Sequence, residues 1–253
     1  MCQSPKSRGL LTVVLVLAAV LRVAVLAWDS GQLQIDRDGY LGLAESLADG
    51  RGLSLPGTTR PTAYRPPLYP GLLSVVLLGT RPLGPMAVWL GIAGLQLAAG
   101  VGTVWLTWRL ARFRLPATGA VAAAGLVAID PLLVQYTARP MTETVCAFLA
   151  VLLLVQIERL RLAPADFSGN PLPGENPEDG QRENPGSVAR HGGTVLPCLL
   201  TGAVFGLCVL CRPTFWIPGG LAAGLVVCRS VWLAAGGRPG RGRGDAGLSE
   251  APP

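Results

Sequence analysis

The chain has 253 residues, of which 50% are hydrophobic and 14% are charged, with 21 basic residues against 15 acidic ones. Ordinary soluble domains carry roughly a quarter charged residues, so the composition excludes a soluble globular enzyme and predicts an integral membrane protein. The basic residues lie mostly at the ends of apolar runs, as membrane topology requires. This pattern excludes a nucleic-acid partner, whose binding surface would gather them on one polar face.

The residue inventory excludes several kinds of catalytic site. The single histidine, His191, excludes a multi-histidine metal centre, and the single lysine, Lys6, lies outside any Gly-Lys-Ser/Thr phosphate-binding loop. Five of the six cysteines lie in or beside apolar segments, which predicts no disulfide framework. We interpret the Cys208 and Cys211 pair as small buried hydrophobic residues, because its flanks are apolar and no second CxxC occurs.

The first predicted transmembrane helix covers residues 9–28 and completes an N-terminal segment of residues 1–28. Its only charge, Arg22, is expected to snorkel toward the lipid headgroups. Basic residues precede the helix and Trp28 ends it, which predicts a cytoplasmic N-terminus. A cleaved signal peptide is the alternative, but the apolar stretch is longer than usual and no small-x-small cleavage motif follows it.

Residues 29–81 then form a loop on the outer face. Apolar residues recur with helical spacing over residues 40–48, which predicts a short amphipathic helix lying on the membrane. Asp36 or Asp38 can cap the start of this helix, and glycines follow its end. The apolar stretch 66–79 is too short to span a bilayer, so it predicts a second interfacial helix.

Further spans follow this loop. Between residues 82 and 163 the sequence predicts three transmembrane helices, over 82–108, 115–138 and 140–157. Arginines after the first and third of these place both ends in the cytoplasm. The predicted fold class is therefore all-α, a polytopic integral membrane helix bundle with interfacial helices in its first outer loop.

The remaining chain alternates polar and apolar segments. Residues 164–193 are rich in Pro, Gly, Asn and Glu and predict a disordered cytoplasmic loop. Residues 194–228 are apolar except at Arg212, which Pro213 follows, and they cross either once as a tilted helix or twice with a turn at that point. Residues 229–253 predict a disordered basic tail.

The outer loop carries four features in a recognisable order. An aspartate follows the first span, a tyrosine comes four residues later, an amphipathic helix ends in Gly-x-Gly, and a basic residue precedes Pro-Pro-Leu. This order resembles the first outer loop of the GT-C superfamily of membrane glycosyltransferases, in particular its protein O-mannosyltransferase and aminoarabinose transferase branch. The segments TARPMTETVCAFLAVLLL and LTGAVFGLCVLCRPTFWIP resemble later parts of that branch, so the resemblance covers residues 9–228 and the N-terminal half of a full-length member.

The resemblance implies inverting transfer of a sugar from a polyprenyl-phosphate donor to a hydroxyl or lipid acceptor at the outer face. Asp36 matches the base that deprotonates the acceptor hydroxyl. Asp38 is a second carboxylate that assists this base or binds a divalent cation, and the use of a metal stays open. Arg65 matches the residue that holds the donor phosphate, although the family more often has lysine there. Further substrate-binding candidates are Tyr40, Glu143 and Arg212.

Each candidate also has a structural alternative. Asp36 and Asp38 could serve only as helix caps, and Arg65 could anchor the loop to lipid headgroups. Tyr40 and Tyr69 could belong to the aromatic belt at the membrane surface.

Three residues in the later spans have alternatives of the same kind. Glu143 lies at the edge of an apolar run, where an acidic group needs a partner or water, and Arg139 could be that partner. Arg212 either meets the lipid phosphate or stabilises a turn.

The whole chain also allows a second function class. The alternative to an enzyme is a non-catalytic membrane subunit for lipid binding or transport, or an inactive fragment, because GT-C proteins are about twice as long. A second membrane subunit could supply the missing helices. The Arg-rich, Lys-poor composition favours a multi-pass protein of the bacterial inner membrane over one of the endoplasmic reticulum.

Overall fold

The computed structural model of the chain describes residues 5–58, 60–162 and 186–234. These residues are mainly α-helical and contain no β-strand, which confirms the predicted all-α class. Two of the described helices, those over Ser7–Trp28 and Pro85–Ala111, are long and apolar enough to cross a membrane. Their length and composition support association with a membrane.

The helices in chain order are α1 (Pro5–Trp28), α2 (Tyr40–Ala48), α3 (Leu68–Thr80), α4 (Pro85–Ala111), α5 (Ala117–Ala128), α6 (Pro131–Tyr136), α7 (Glu143–Leu162), α8 (Gly186–Cys211) and α9 (Trp216–Ala234). Short 3₁₀ turns cover Ser30–Gln34, Arg81–Leu83 and Pro213–Phe215. The chain divides into two compact units after Pro213, the first containing α1 to α8 and the second containing α9.

Helix α4 is the central element of the first unit, where it packs against α1, α3, α5 and α7. Small side chains let these helices approach closely, as the core formed by Ala18, Val104, Ala124 and Ala128 shows. The two short helices within residues 29–81, α2 and α3, pack on each other, and α3 also contacts α4. The structure therefore contains both predicted loop helices and docks them on the helix bundle.

The helix predicted over 115–138 is divided in the structure. Helix α5 ends at Ala128, and α6 begins at Pro131. Proline lacks the N–H that would continue the hydrogen-bonding ladder of α5, and it suits the first position of a helix. The Asp130 carboxylate caps α6 by accepting the Leu133 N–H at 2.9 Å. With 12 residues, α5 alone is too short to span a bilayer.

The segment after α7 also differs from the prediction. Helix α8 begins at Gly186, so the last part of the predicted loop is helical, while residues 164–185 lie outside the described residues. Helix α8 ends at Cys211, in agreement with a turn at Arg212. Helix α9 continues to Ala234, so the start of the predicted tail is helical and its remainder lies outside the described residues.

Arg22 does not snorkel to the headgroups, because its side chain is fully buried among α1, α4 and α5. Its Nη1 donates to the carbonyl oxygens of Ala18 at 3.1 Å and Ala128 at 3.2 Å. Ala128 is the last residue of α5, where the helix dipole is negative and stabilises a cation. Gly100 of α4 provides the space for this side chain.

Replacing Gly100 by Ala is expected to destabilise the bundle by about 1–3 kcal/mol, because the new methyl group would overpack a buried site. A Cβ there would lie 2.5 Å from Arg22 Nε, and the guanidinium would have to leave its carbonyl partners. Gly94→Ala on the same helix is the matched control, since nothing lies within 4 Å of that Cβ. Thermal unfolding in detergent micelles, followed by circular dichroism, measures both variants; equal midpoints would contradict the assigned role of Gly100.

Candidate functional site

Asp36 lies just before α2, and its carboxylate is fixed by the first turn of that helix. Oδ1 accepts the Leu41 N–H at 3.1 Å, and Oδ2 accepts the Gly42 N–H at 2.9 Å. Gly39 makes this possible, because its positive φ of 76° turns the chain back toward the helix start. The carboxylate therefore caps α2, yet it is exposed and each oxygen keeps a second lone pair for another donor.

Hydrogen bonds to Asp38 and contacts with two tyrosine rings hold Arg65 in place. Its Nε donates to the Asp38 carbonyl oxygen and its Nη2 to Asp38 Oδ1, both at 2.9 Å. The guanidinium lies over the Tyr64 ring at 4.6 Å from the centroid and over the Tyr40 ring at 5.3 Å. About a quarter of the Arg65 side chain is exposed, at 26%. These contacts orient the Arg65 guanidinium and leave it accessible to solvent. Its Nη1 makes no hydrogen bond to the described part of the chain.

Glu143 pairs with Arg212 and not with Arg139. Glu143 is the first residue of α7, and its Oε1 lies 3.5 Å from Nη2 of Arg212, which directly follows α8. Its other oxygen, Oε2, is buried without a hydrogen-bond partner among the described residues. The Arg139 guanidinium instead lies over the Tyr136 ring, 5.6 Å from its centroid. The structural alternative that paired Glu143 with Arg139 is therefore wrong.

Two buried tyrosines meet at the first turns of α2 and α3. The rings of Tyr40 on α2 and Tyr69 on α3 meet edge to face with centroids 5.2 Å apart. Tyr40 is 5% exposed and Tyr69 is fully buried, so neither belongs to an aromatic belt at the membrane surface. The edge-to-face contact joins the two loop helices at the candidate site.

The Tyr40 phenol lies in an environment that favours its neutral form. Burial raises the pKa of the Tyr40 phenol above its ordinary value, and the neighbouring Thr142 hydroxyl and Arg65 only partly oppose this. The phenol therefore stays protonated at neutral pH and can donate a hydrogen bond. The charges that act on the two tyrosines belong to residues predicted from three separate parts of the sequence: Asp36, Asp38, Arg65 and Glu143.

Gln96 on α4 stabilises the arrangement of Tyr69 and Glu143, and the sequence did not lead us to predict it. It lies fully buried on α4, and the two N–H groups of its Nε2 are shared among three acceptors: the Tyr69 hydroxyl at 3.0 Å and the carbonyl oxygens of Arg139 and Met141. These bonds tie α3 and the segment before Glu143 to the central helix. A single amide in an otherwise apolar segment could have indicated this role of Gln96, because a buried polar group needs hydrogen-bond partners.

The described residues contain no group of three or more His, Cys, Asp and Glu side chains placed to hold a metal ion. The Asp38 carboxylate instead accepts from Arg65. In this geometry the carboxylate positions a cationic side chain, and a divalent cation at Asp38 would have to compete with that guanidinium.

No protein-family model matches this sequence, and no curated protein or solved structure matches it. The geometry of the described residues is therefore the main guide to function.

Proposed function

We propose that the protein is a glycosyltransferase of the GT-C type in the bacterial inner membrane. It transfers a sugar from a polyprenyl-phosphate donor to a hydroxyl or lipid acceptor at the outer face. One observation carries the proposal: an exposed, oriented carboxylate, Asp36, and an accessible guanidinium, Arg65, both contact the first turn of α2. Arg212, which pairs with Glu143, is a second accessible guanidinium. A base and a phosphate-binding cation are the two groups that this transfer needs.

In the proposed reaction, Asp36 acts as the general base. The acceptor oxygen attacks the anomeric carbon, and Asp36 takes the acceptor's proton as the new carbon–oxygen bond forms. The bond between the anomeric carbon and the phosphate oxygen breaks from the opposite side, so the configuration inverts. The two backbone N–H groups that bind Asp36 hold the carboxylate in one orientation during proton transfer.

Arg65 stabilises the polyprenyl phosphate that leaves, because a guanidinium binds phosphate oxygens with two parallel hydrogen bonds. Asp38 positions this guanidinium through its carboxylate and its carbonyl oxygen. Arg212 offers a second cation, since its contact with Glu143 is long and its side chain is 47% exposed. Glu143, whose side chain is partly exposed, accepts a hydrogen bond from a sugar hydroxyl through its carboxylate, and Tyr40 closes the buried side of the site.

The test is sugar transfer by the full chain reconstituted in liposomes. Polyprenyl-phosphate donors carrying labelled mannose, glucose or aminoarabinose are compared with nucleotide-activated forms of the same sugars, with membrane lipids as acceptors. We expect labelled lipid product from at least one lipid-linked donor and none from the nucleotide donors. Transfer from a nucleotide donor, or no transfer from any donor by correctly inserted protein, would contradict the proposal.

A non-catalytic membrane subunit that binds lipid is the second candidate. The observation that favours it is that the polar groups of the loop also bond to one another: Asp36 caps α2, and Asp38 pairs with Arg65. Such bonds occur in purely structural loops as well. This candidate predicts no transfer in the same liposomes, and it would require a second membrane subunit for any activity.

A further inference from the structure

The C-terminal ends of α4 and α7 form a basic cluster at the opposite end of these helices from the candidate site. The two helices run in the same direction, as the contact of Gly102 with Phe148 and the ion pair between Arg114 and Glu158 show. Five arginines and one glutamate lie at this end of the two helices, an excess of four positive charges. They are Arg109, Arg112, Arg114, Arg159 and Arg161, with Glu158 as the acidic member.

One carboxylate is shared by two of these arginines. Glu158 Oε1 lies 2.8 Å from Arg114 Nη2 and 3.6 Å from Arg161 Nη1. Glu158 is largely buried, whereas the side chains of Arg114 and Arg161 are 65% and 67% exposed. Both guanidiniums therefore keep donors free for an anion outside the protein.

The other arginines of the cluster have no carboxylate partner in the described part of the chain. Arg109 stacks on the Trp105 ring at 4.9 Å and lies close enough to Arg159 for the two charges to repel. Arg159 donates to the Gln156 side chain. Like charges held this close are unfavourable unless an anion neutralises them.

A pocket of about 570 Å³ lies directly beside these charges. Its walls come from α4, the turn after it and α7, and the lining is mostly apolar, with Leu110, Leu115, Leu154 and Ile157. Arg114, Glu158 and Arg161 line the same pocket. An apolar pocket edged by exposed guanidiniums matches a molecule with a hydrocarbon chain and an anionic head.

We propose that this pocket binds an anionic phospholipid of the leaflet that it faces. The lipid phosphate bonds to Arg114 and Arg161, and part of an acyl chain lies against Leu154 and Ile157. Arginine binds phosphate strongly, and basic pockets between membrane helices hold anionic headgroups. The positive-inside rule assigns this end of the helices to the cytoplasmic leaflet. The site is independent of the proposed transferase reaction, because it shares no residue with it.

The experiment titrates phosphatidylglycerol against the purified full chain in neutral detergent and counts bound lipids by native mass spectrometry. We expect phosphatidylglycerol to bind more tightly than phosphatidylcholine with the same acyl chains. The double variant Arg114→Gln/Arg161→Gln should weaken phosphatidylglycerol binding on the order of 30-fold, about 2 kcal/mol for two basic residues near an anionic headgroup. Arg114→Lys/Arg161→Lys, which keeps both charges, should retain most of the binding and shows that the site still folds.

Two controls separate this site from general charge attraction. The control variant Arg37→Gln/Arg60→Gln removes two positive charges, as the Arg114/Arg161 Gln variant does, but from the outer loop. It should bind phosphatidylglycerol like the unaltered chain. Free glycerophosphate should not compete, because it lacks the acyl chains that enter the pocket. Equal binding of the two lipids, full retention in the Arg114/Arg161 Gln variant, an equal loss in the control variant, or competition by glycerophosphate would overturn the proposal.

Discussion

Asp36→Asn is expected to reduce sugar transfer roughly 100- to 10,000-fold, the range that general base catalysis contributes. The amide cannot accept the proton that the acceptor hydroxyl must lose. The same amide can still accept the Leu41 N–H, so the α2 start should lose only one hydrogen bond, which costs about 1 kcal/mol. Initial rates in liposomes, measured with saturating lipid-linked donor, give the loss in kcat.

This substitution also separates the catalytic role of Asp36 from its capping role. Asparagine caps helices about as well as aspartate, whereas alanine does not. If Asp36 is the general base, Asp36→Asn and Asp36→Ala should lose sugar transfer to the same extent. If Asp36 only caps α2, the Asn variant should transfer at a near-normal rate and only the Ala variant should lose activity. Glu45→Gln, which neutralises an exposed carboxylate on the same helix, is the matched control and should transfer at the normal rate.

Gln96→Leu is expected to destabilise the protein by about 3 kcal/mol, because leaving buried polar partners unbonded costs roughly 1–3 kcal/mol each. The substitution removes the donor to the Tyr69 hydroxyl and to two carbonyl oxygens in the segment before Glu143. That segment would then lose its tie to α4, so transfer should fall together with stability. Denaturation in mixed micelles gives the change in unfolding free energy.

A double-mutant cycle with Tyr69→Phe tests this account of Gln96. When Gln96 is already Leu, the Tyr69 hydroxyl has lost its hydrogen-bond donor, so its removal should cost less than in the unaltered chain. Gln156→Leu on α7 is the control for loss of a half-buried amide with one hydrogen-bond partner, Arg159, and should lower the unfolding free energy by about 1 kcal/mol or less. Additive effects of Gln96→Leu and Tyr69→Phe would show that the bond contributes nothing.

The site was only partly predictable. The resemblance of one short loop to that of GT-C glycosyltransferases indicated Asp36, Tyr40 and Arg65, whose residue types suit proton transfer and phosphate binding. The pairing of Glu143 with Arg212 could not be read from the sequence, since the two residues come together only when α7 packs on α8. Arg139 is nearer in sequence to Glu143, but its backbone bonds to Gln96 and its guanidinium lies on Tyr136.

The sequence by itself determined the all-α class, the apolar character of α1 and α4, and the two short helices between them. These follow from local properties: hydrophobic periodicity, helix length and turn residues act over a few neighbouring positions. Tertiary structure decided the burial of Arg22, the pairing of Glu143 with Arg212, and the role of Gln96. Those outcomes depend on which helices come within bonding distance, and a buried polar group takes its partners from distant parts of the chain.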